Sequence, residues 1–224
     1  MLTYDDLLPR ARSLTRPGRR AILGIAGAPG SGKTTLAERL VRDLNGAGEP
    51  WATHVPMDGF HLADAELDRL GRRDRKGAPD TFDAAGYAAL LRRLREEADG
   101  DEVVYAPGFE RVLEQPVAGA VPVPPGARLV VTEGNYLLLG TGAWARVRAE
   151  LDEVWFCEAD EEERVRRLVA RHEEFGKSYG EAAAWVRGPD QDNADLVAAT
   201  RDRADLVVRV GAGGPDGPGT GPAD

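Results

Sequence analysis

The stretch that most limits what this chain can fold into is Gly27-Ala28-Pro29-Gly30-Ser31-Gly32-Lys33-Thr34. It follows the apolar run Ala21-Ile22-Leu23-Gly24-Ile25-Ala26 and leads into Leu36, Ala37, Leu40, Val41 and Leu44, spaced as one face of a helix. Strand, glycine-rich turn and helix, in that order, form the setting in which G-x-x-x-x-G-K-[ST] holds phosphate. Glycines let the backbone curl until successive N–H groups converge, and the helix behind them adds partial positive charge. The motif assigns Gly27, Ala28, Pro29, Gly30, Ser31, Gly32, Lys33, Thr34 and Thr35 to a nucleotide tail. Lys33 reaches the β- and γ-phosphates, and the Thr34 hydroxyl is placed for Mg²⁺. The competing reading is a flexible turn between core elements. Lysine usage argues against it, because the chain has only three lysines (Lys33, Lys76, Lys177) and uses arginine elsewhere.

A chain of 224 residues suits one α/β domain with a sizeable core. Its net charge of −9 argues against a nucleic-acid partner, which would need a basic surface. The single Cys157 lies in the apolar run Val154-Trp155-Phe156-Cys157 and reads as a small buried hydrophobe. The start, Met1-Leu2-Thr3-Tyr4-Asp5-Asp6, has neither the basic stretch nor the apolar core of an export signal, and no apolar run approaches a membrane span. A cytoplasmic protein with no membrane partner is therefore expected, and a homodimer stays open.

Along the chain, residues 3–14 read as a helix with Thr3 as its cap, followed by Pro17-Gly18. This gives an N-terminal helix over 1–18, a main domain over 19–210 and a flexible Gly/Pro-rich tail over 211–224. Further strands are expected at 51–57, 103–105, 128–132, 154–157 and 204–210, and helices at 62–70, 83–97 and 160–174. The 178–199 segment reads as two helical pieces broken at Gly188-Pro189, and 107–126, with five prolines, as irregular turns or a small hairpin. Strands alternating with helices imply a parallel sheet covered on both faces, with ligands beyond the carboxyl ends of its strands.

Besides the phosphate loop, that rim receives Asp58 in Met57-Asp58-Gly59-Phe60-His61 and Glu133 in Val131-Thr132-Glu133-Gly134-Asn135. Phosphoryl transfer calls for one acid to take or orient the proton of the attacking hydroxyl and another to hold Mg²⁺. Asp58 is assigned as base and Glu133, with Thr34, to the metal; the reverse stays open, as does a turn-forming or capping role for each. Arg164, Arg167 and Arg171 share a helical face. They read equally well as a solvated face paired with Glu161, Glu162 and Glu163, or as a lid bringing guanidinium groups onto the transferring phosphoryl. His61 and His172 are candidates for polar contacts, whereas His54 reads as core or surface.

Taken together, these motifs resemble the phosphoribulokinase, uridine kinase and bacterial pantothenate kinase family over residues 20–210. Arg75-Lys76-Gly77-Ala78-Pro79-Asp80-Thr81-Phe82-Asp83, Tyr105-Ala106-Pro107-Gly108-Phe109-Glu110-Arg111 and Thr132-Glu133-Gly134-Asn135-Tyr136 carry the likeness with the two motifs above. The match looks closest to a bacterial nucleoside/nucleotide kinase or fructose-transport-system kinase branch. The resemblance implies a P-loop NTPase three-layer sandwich: a five-stranded parallel sheet, helices on both faces and a helical lid. It implies ATP with Mg²⁺, and transfer to a hydroxyl of a small metabolite such as a sugar, nucleoside or pantothenate-like acceptor. Lys33, Asp58, Arg167 and Arg171 become the expected catalytic residues. Asp58, His61, Lys76, Tyr105, Phe109, Arg111, Glu133 and Asn135 become the expected acceptor contacts. Pantothenate and uridine kinases carry a more polar segment with a histidine where this chain has Ala106-Pro107-Gly108. The rival to a kinase is a regulatory or chaperone-like protein that hydrolyses ATP slowly.

Overall fold

The structure, a computed structural model, describes residues 3–209 apart from 49 and 99. The tail expected over 211–224 lies outside the described residues.

Five parallel strands form the central sheet: β1 (Ala21–Ala26), β2 (Ala52–Pro56), β5 (Leu129–Gly134), β6 (Glu153–Glu158) and β7 (Leu206–Arg209), in the spatial order β2-β5-β1-β6-β7. β1 pairs with β5 on one edge and β6 on the other, and all six of its residues are buried. A strand covered on both faces and both edges reads as a continuous apolar run, which is why the sequence announced it so clearly. Its alternate side chains feed two cores. Ile22 and Ala26 pack with β5, β6 and the helices α4 (Ala84–Glu96) and α5 (Trp144–Ala149). Ala21, Leu23 and Ile25 pack with α1 (Tyr4–Ser13) and α2 (Lys33–Asn45). These are the three expected layers.

Helix α1 starts at a capping box between Thr3 and Asp6. It is built into the domain rather than set apart from it: Leu7 and Ala11 are buried, and Arg10 pairs with Glu153 at 2.5 Å. After β2 come α3 (Asp64–Leu70), α4 and an antiparallel hairpin of β3 (Val104–Glu110) and β4 (Gln115–Val123). The hairpin merges what read as a three-residue strand and a proline-rich stretch. Pro116 and Pro122 sit on β4, which among the described residues pairs only with β3 and so presents a free edge where proline is tolerated. Three helices follow β6: α6 (Glu161–Glu174), α7 (Tyr179–Arg187) and α8 (Pro189–Ala198), the last two divided at Gly188-Pro189 as expected.

One charged residue is part of the core. Arg20, 1 % exposed, donates to the carbonyls of Ala127 and Leu94 at 2.8 Å each, and to those of Pro124 and Pro125 at 3.2 and 3.4 Å. Its guanidinium thereby ties the end of α4 and the turn before β5 to the root of β1. Replacing Arg20 with Met keeps much of the volume but leaves those carbonyls buried without a donor. Urea unfolding of Arg20→Met should show a loss of about 3 kcal/mol, read as a lower midpoint at unchanged slope.

Candidate active site

The parallel register brings the ends of β1, β2 and β5 to one rim. Gly30 and Gly32 take φ of 78° and 87°, the left-handed conformation that the turn into α2 requires. A Cβ on Gly30 would come within 2.8 Å of Leu168 and 2.9 Å of the Arg164 carbonyl oxygen, so α6 lies directly against the phosphate loop. Cys157 sits under the loop, its thiol donating to the Ser31 carbonyl at 3.2 Å. Burial pushes that thiol up to about 11, which keeps it protonated and structural.

At the end of β5, Glu133 is 3 % exposed and accepts from the Thr34 hydroxyl at 3.1 Å. The sequence put Glu133 after the strand; the ladder instead runs through Gly134, which makes this carboxylate part of the sheet floor. Burial drives its carboxyl up to about 7, against the pull of Lys33 and with a push from Asp58. His54 lies alongside, its Nε2 3.9 Å from Glu133. Burial brings that imidazole down to about 4, so it is neutral.

Asp58 sits in the 3₁₀ turn Met57–Phe60 that follows β2. A Cβ on Gly59 would stand 2.2 Å from the Pro107 carbonyl oxygen, so the glycine lets the hairpin close over the turn. The Asp58 carbonyl oxygen accepts from the His61 backbone N–H at 3.1 Å and its ring Nδ1 at 2.8 Å. His61 in turn stacks between Phe82 and Phe109, at ring distances of 4.0 and 4.8 Å. Arg111 pairs with the Asp58 carboxylate at 3.3 Å. Burial would raise that carboxyl, yet His61, Lys33, Arg111 and Arg171 outweigh it and hold it below the usual carboxylate range.

A cleft of about 340 Å³ opens beside Lys33 and Asp58, with Glu133 and Thr34 outside its lining. Of the sequence-derived candidates, Pro29, Lys33, Asp58, His61, Lys76, Phe109, Arg111, Asn135, Arg171 and His172 border it. Others do not. Tyr105 is 60 % exposed on the outer face of the hairpin, because alternate β3 side chains point away from the core. Thr35 is exposed on α2. Arg167 pairs with Glu163 at 2.7 Å and is not among the lining residues.

The arginine face of α6 thus divides into three tasks. Arg164, 3 % exposed, bonds Glu161, Gln191 and the Pro29 carbonyl, and braces the lid on the loop. Arg167 is half-buried in its pair with Glu163, and Arg171 alone of the three lines the cleft. Lys76 borders the cleft with its ammonium engaged, 2.7 Å from Asp64 and bonded to the Glu114 carbonyl. Sequence reasoning missed Arg73, Glu114, Phe175, Lys177, Trp185, Asp190 and Asn193, which join Gly77 and Phe82 of the Arg75–Asp83 motif in the lining. One signal was present: all three lysines of the chain border this cleft, so the scarcity that marked Lys33 also marked Lys177.

A phosphate loop with two carboxylates at its rim, a cleft beside it and a helical cover define an ATP-dependent small-molecule kinase. The chain belongs to the phosphoribulokinase / uridine kinase family, whose pattern matches residues 22–213. It is 33 % identical over 214 residues to a protein of Schizosaccharomyces pombe provisionally named uridine kinase C227.14, covering 92 % of this chain and 90 % of that one. A pantothenate kinase of Leifsonia xyli subsp. xyli is 29 % identical over 217 residues, covering 85 % of this chain and 66 % of its own. Among solved structures, one provisionally assigned as a fructose transport system kinase from Silicibacter sp. TM1040 superposes with a TM-score of 0.83 at 36 % identity, covering 93 % of this chain and all of that one.

Between the ordinary carboxyl value of 4.5 and about 7, the folded protein keeps a proton on Glu133 that the unfolded chain releases. Burying this side chain therefore lowers stability as pH rises through that window, and the full cost is present above it. Glu133→Gln removes the cost, and calorimetry should show Tm raised by about 3 °C near pH 8 with almost no gain near pH 5.

Proposed function

We propose that this kinase transfers the γ-phosphoryl group of ATP, with Mg²⁺, to a hydroxyl of a sugar, nucleoside or pantothenate-like metabolite, with Asp58 as general base. The observation that supports this reading is the placement of two carboxylates of opposite character on one rim: Asp58 held ionised and Glu133 bonded to Thr34 at 3.1 Å. Phosphoryl transfer divides its labour in that way.

The residues present fit a magnesium nucleotide. Ser31 Oγ, in the loop, is buried with no partner among the described residues. Thr34 and Glu133 supply hard oxygen donors of the kind Mg²⁺ takes. Bound there, the metal would neutralise charge on the phosphates.

The rest of the reaction belongs to the chain's own side chains. Lys33 and the loop amides hold the phosphates. Asp58 orients the acceptor hydroxyl and receives its proton as the oxygen bonds to the γ-phosphorus and the bond to the ADP oxygen breaks. Arg171 reaches into the cleft from the lid, and Phe109, His61 and Asn135 line the acceptor's side. The packing of α6 on the loop suits a cover that excludes water, which would otherwise compete as acceptor.

The test is acceptor-dependent ADP release by the purified protein. Lys33→Ala should lower it by about 10³-fold, and Asp58→Asn by about 10³-fold while ATP affinity stays within twofold. Full turnover in Asp58→Asn would remove the base from this reading.

A further inference from the structure

In a chain of net charge −9, the cleft is bordered by six cationic side chains and three carboxylates. Most of the cations are committed. Lys33 serves the phosphate loop. Arg73 and Lys76 share the Asp64 carboxylate at 2.7 Å each. Lys177 lies 3.3 Å from His172 Nδ1 and 5.2 Å from the Trp185 ring centre, and His172 is itself fixed by Asp190 at 2.9 Å.

Arg111 and Arg171 remain. The Arg171 guanidinium makes no hydrogen bond or ion pair with any described residue, although burial and the neighbouring Arg111 both disfavour its charge. Arg111 has one carboxylate partner, Asp58, at 3.3 Å, looser than a well-made guanidinium–carboxylate contact. One comes from the hairpin and the other from the lid, and both face the same space.

A guanidinium against the general base works against catalysis, because it steadies the carboxylate and weakens its hold on a proton. The pairing becomes useful when an incoming molecule takes Arg111 for itself. A planar fork of donors suits a carboxylate or a phosphate, and neutral hydroxyls give it far less.

We propose that the acceptor alcohol carries its own anionic group, a carboxylate or a phosphate, which draws Arg111 away from Asp58 and is held between Arg111 and Arg171 while the hydroxyl meets the freed base. This rests on the kinase reading above and specifies its acceptor. Neutral alcohols of the same shape leave Asp58 paired and are poor acceptors. The ring of Phe109, 5.7 Å from the Arg111 guanidinium, gives the carbon skeleton a floor beside the anion site.

Alcohols in matched neutral and anionic forms test the idea: glycerol with glycerate, ribose with ribose 5-phosphate, and pantothenyl alcohol with pantothenate. Coupled ADP release should favour the anionic member of at least one pair by about 100-fold in kcat/KM, and the pair that responds separates carboxylate from phosphate. Arg111→Met and Arg171→Met should each erase most of that preference, and Arg111→Lys should restore part of it. Calorimetric titration with a non-hydrolysable ATP analogue present gives a readout independent of turnover. An anion should bind the wild type and not Arg111→Met. The proposal is overturned if neutral members react as well as their anionic partners. It is equally overturned if both arginine variants slow charged and neutral acceptors alike, since the cations would then serve the transferring phosphoryl, or if no anion binds. Loss of ATP binding in Lys33→Ala judges the kinase reading by itself, so a chain that binds ATP through Lys33 and takes no anion refutes only the acceptor assignment.

Discussion

Parallel pairing of β1 with β5 and β6 is the constraint from which the rest of this molecule follows. Parallel strands end on the same side, so the loop leaving β1 and the carboxylate ending β5 must share a rim. The register places Ala26 beside Gly134 and Ile25 beside Glu133, one residue before the phosphate loop opens. The Thr34–Glu133 hydrogen bond is a direct consequence. β2 pairs with β5 in turn, Pro56 beside Glu133, and so delivers Asp58 to the same place. An antiparallel partner at either position would have sent one acid to the far edge.

The two carboxylates then differ because their neighbours differ. Glu133 is enclosed in the floor, and desolvation dominates it over the pull of Lys33 and Arg111. Asp58 stands where His61, Lys33, Arg111 and Arg171 converge, and their charge prevails over burial. A protein can give the same functional group two characters this way, one readily protonated and one kept ionised. Neither state is set by the residue itself: besides His61, three residues on from Asp58, the charges responsible come from the phosphate loop, the hairpin and the lid.

The walls of the cleft are held by contacts that look incidental in sequence. Arg164 locks the lid helix onto the Pro29 carbonyl, and Lys76 ties Asp64 to the hairpin turn at Glu114, the one non-glycine residue with positive φ among those described. Both are charged residues in segments that also suit solvent. They work as fasteners because burial and geometry leave them one set of partners. This is why an arginine stripe with regular helical spacing separated into a brace, a half-buried ion pair and a cleft residue.

Much of the architecture was legible in the residues themselves. Strands buried on both faces show as apolar runs, the amphipathic helices show their period, and Gly188-Pro189 marks its break, because each depends on local chemistry. The phosphate loop was legible for the same reason: its function needs consecutive backbone amides and therefore consecutive residues. What the sequence left open depends on contacts between segments far apart in the chain. The six-residue α5 was too short to show a period, and the hairpin was hidden by prolines that are harmless only on a free edge. Tyr105 and Phe109 lie four residues apart in one motif, yet one faces outward and the other lines the cleft, a choice made by the pleat and by the bulge between Ala106 and Gly108. The sequence by itself determined that a nucleotide's phosphates would be gripped and which acids could stand near the strand ends. Only the tertiary structure decided which cations meet which acids, because ion pairing falls off over a few ångströms and those distances exist only once the lid, hairpin and sheet have packed.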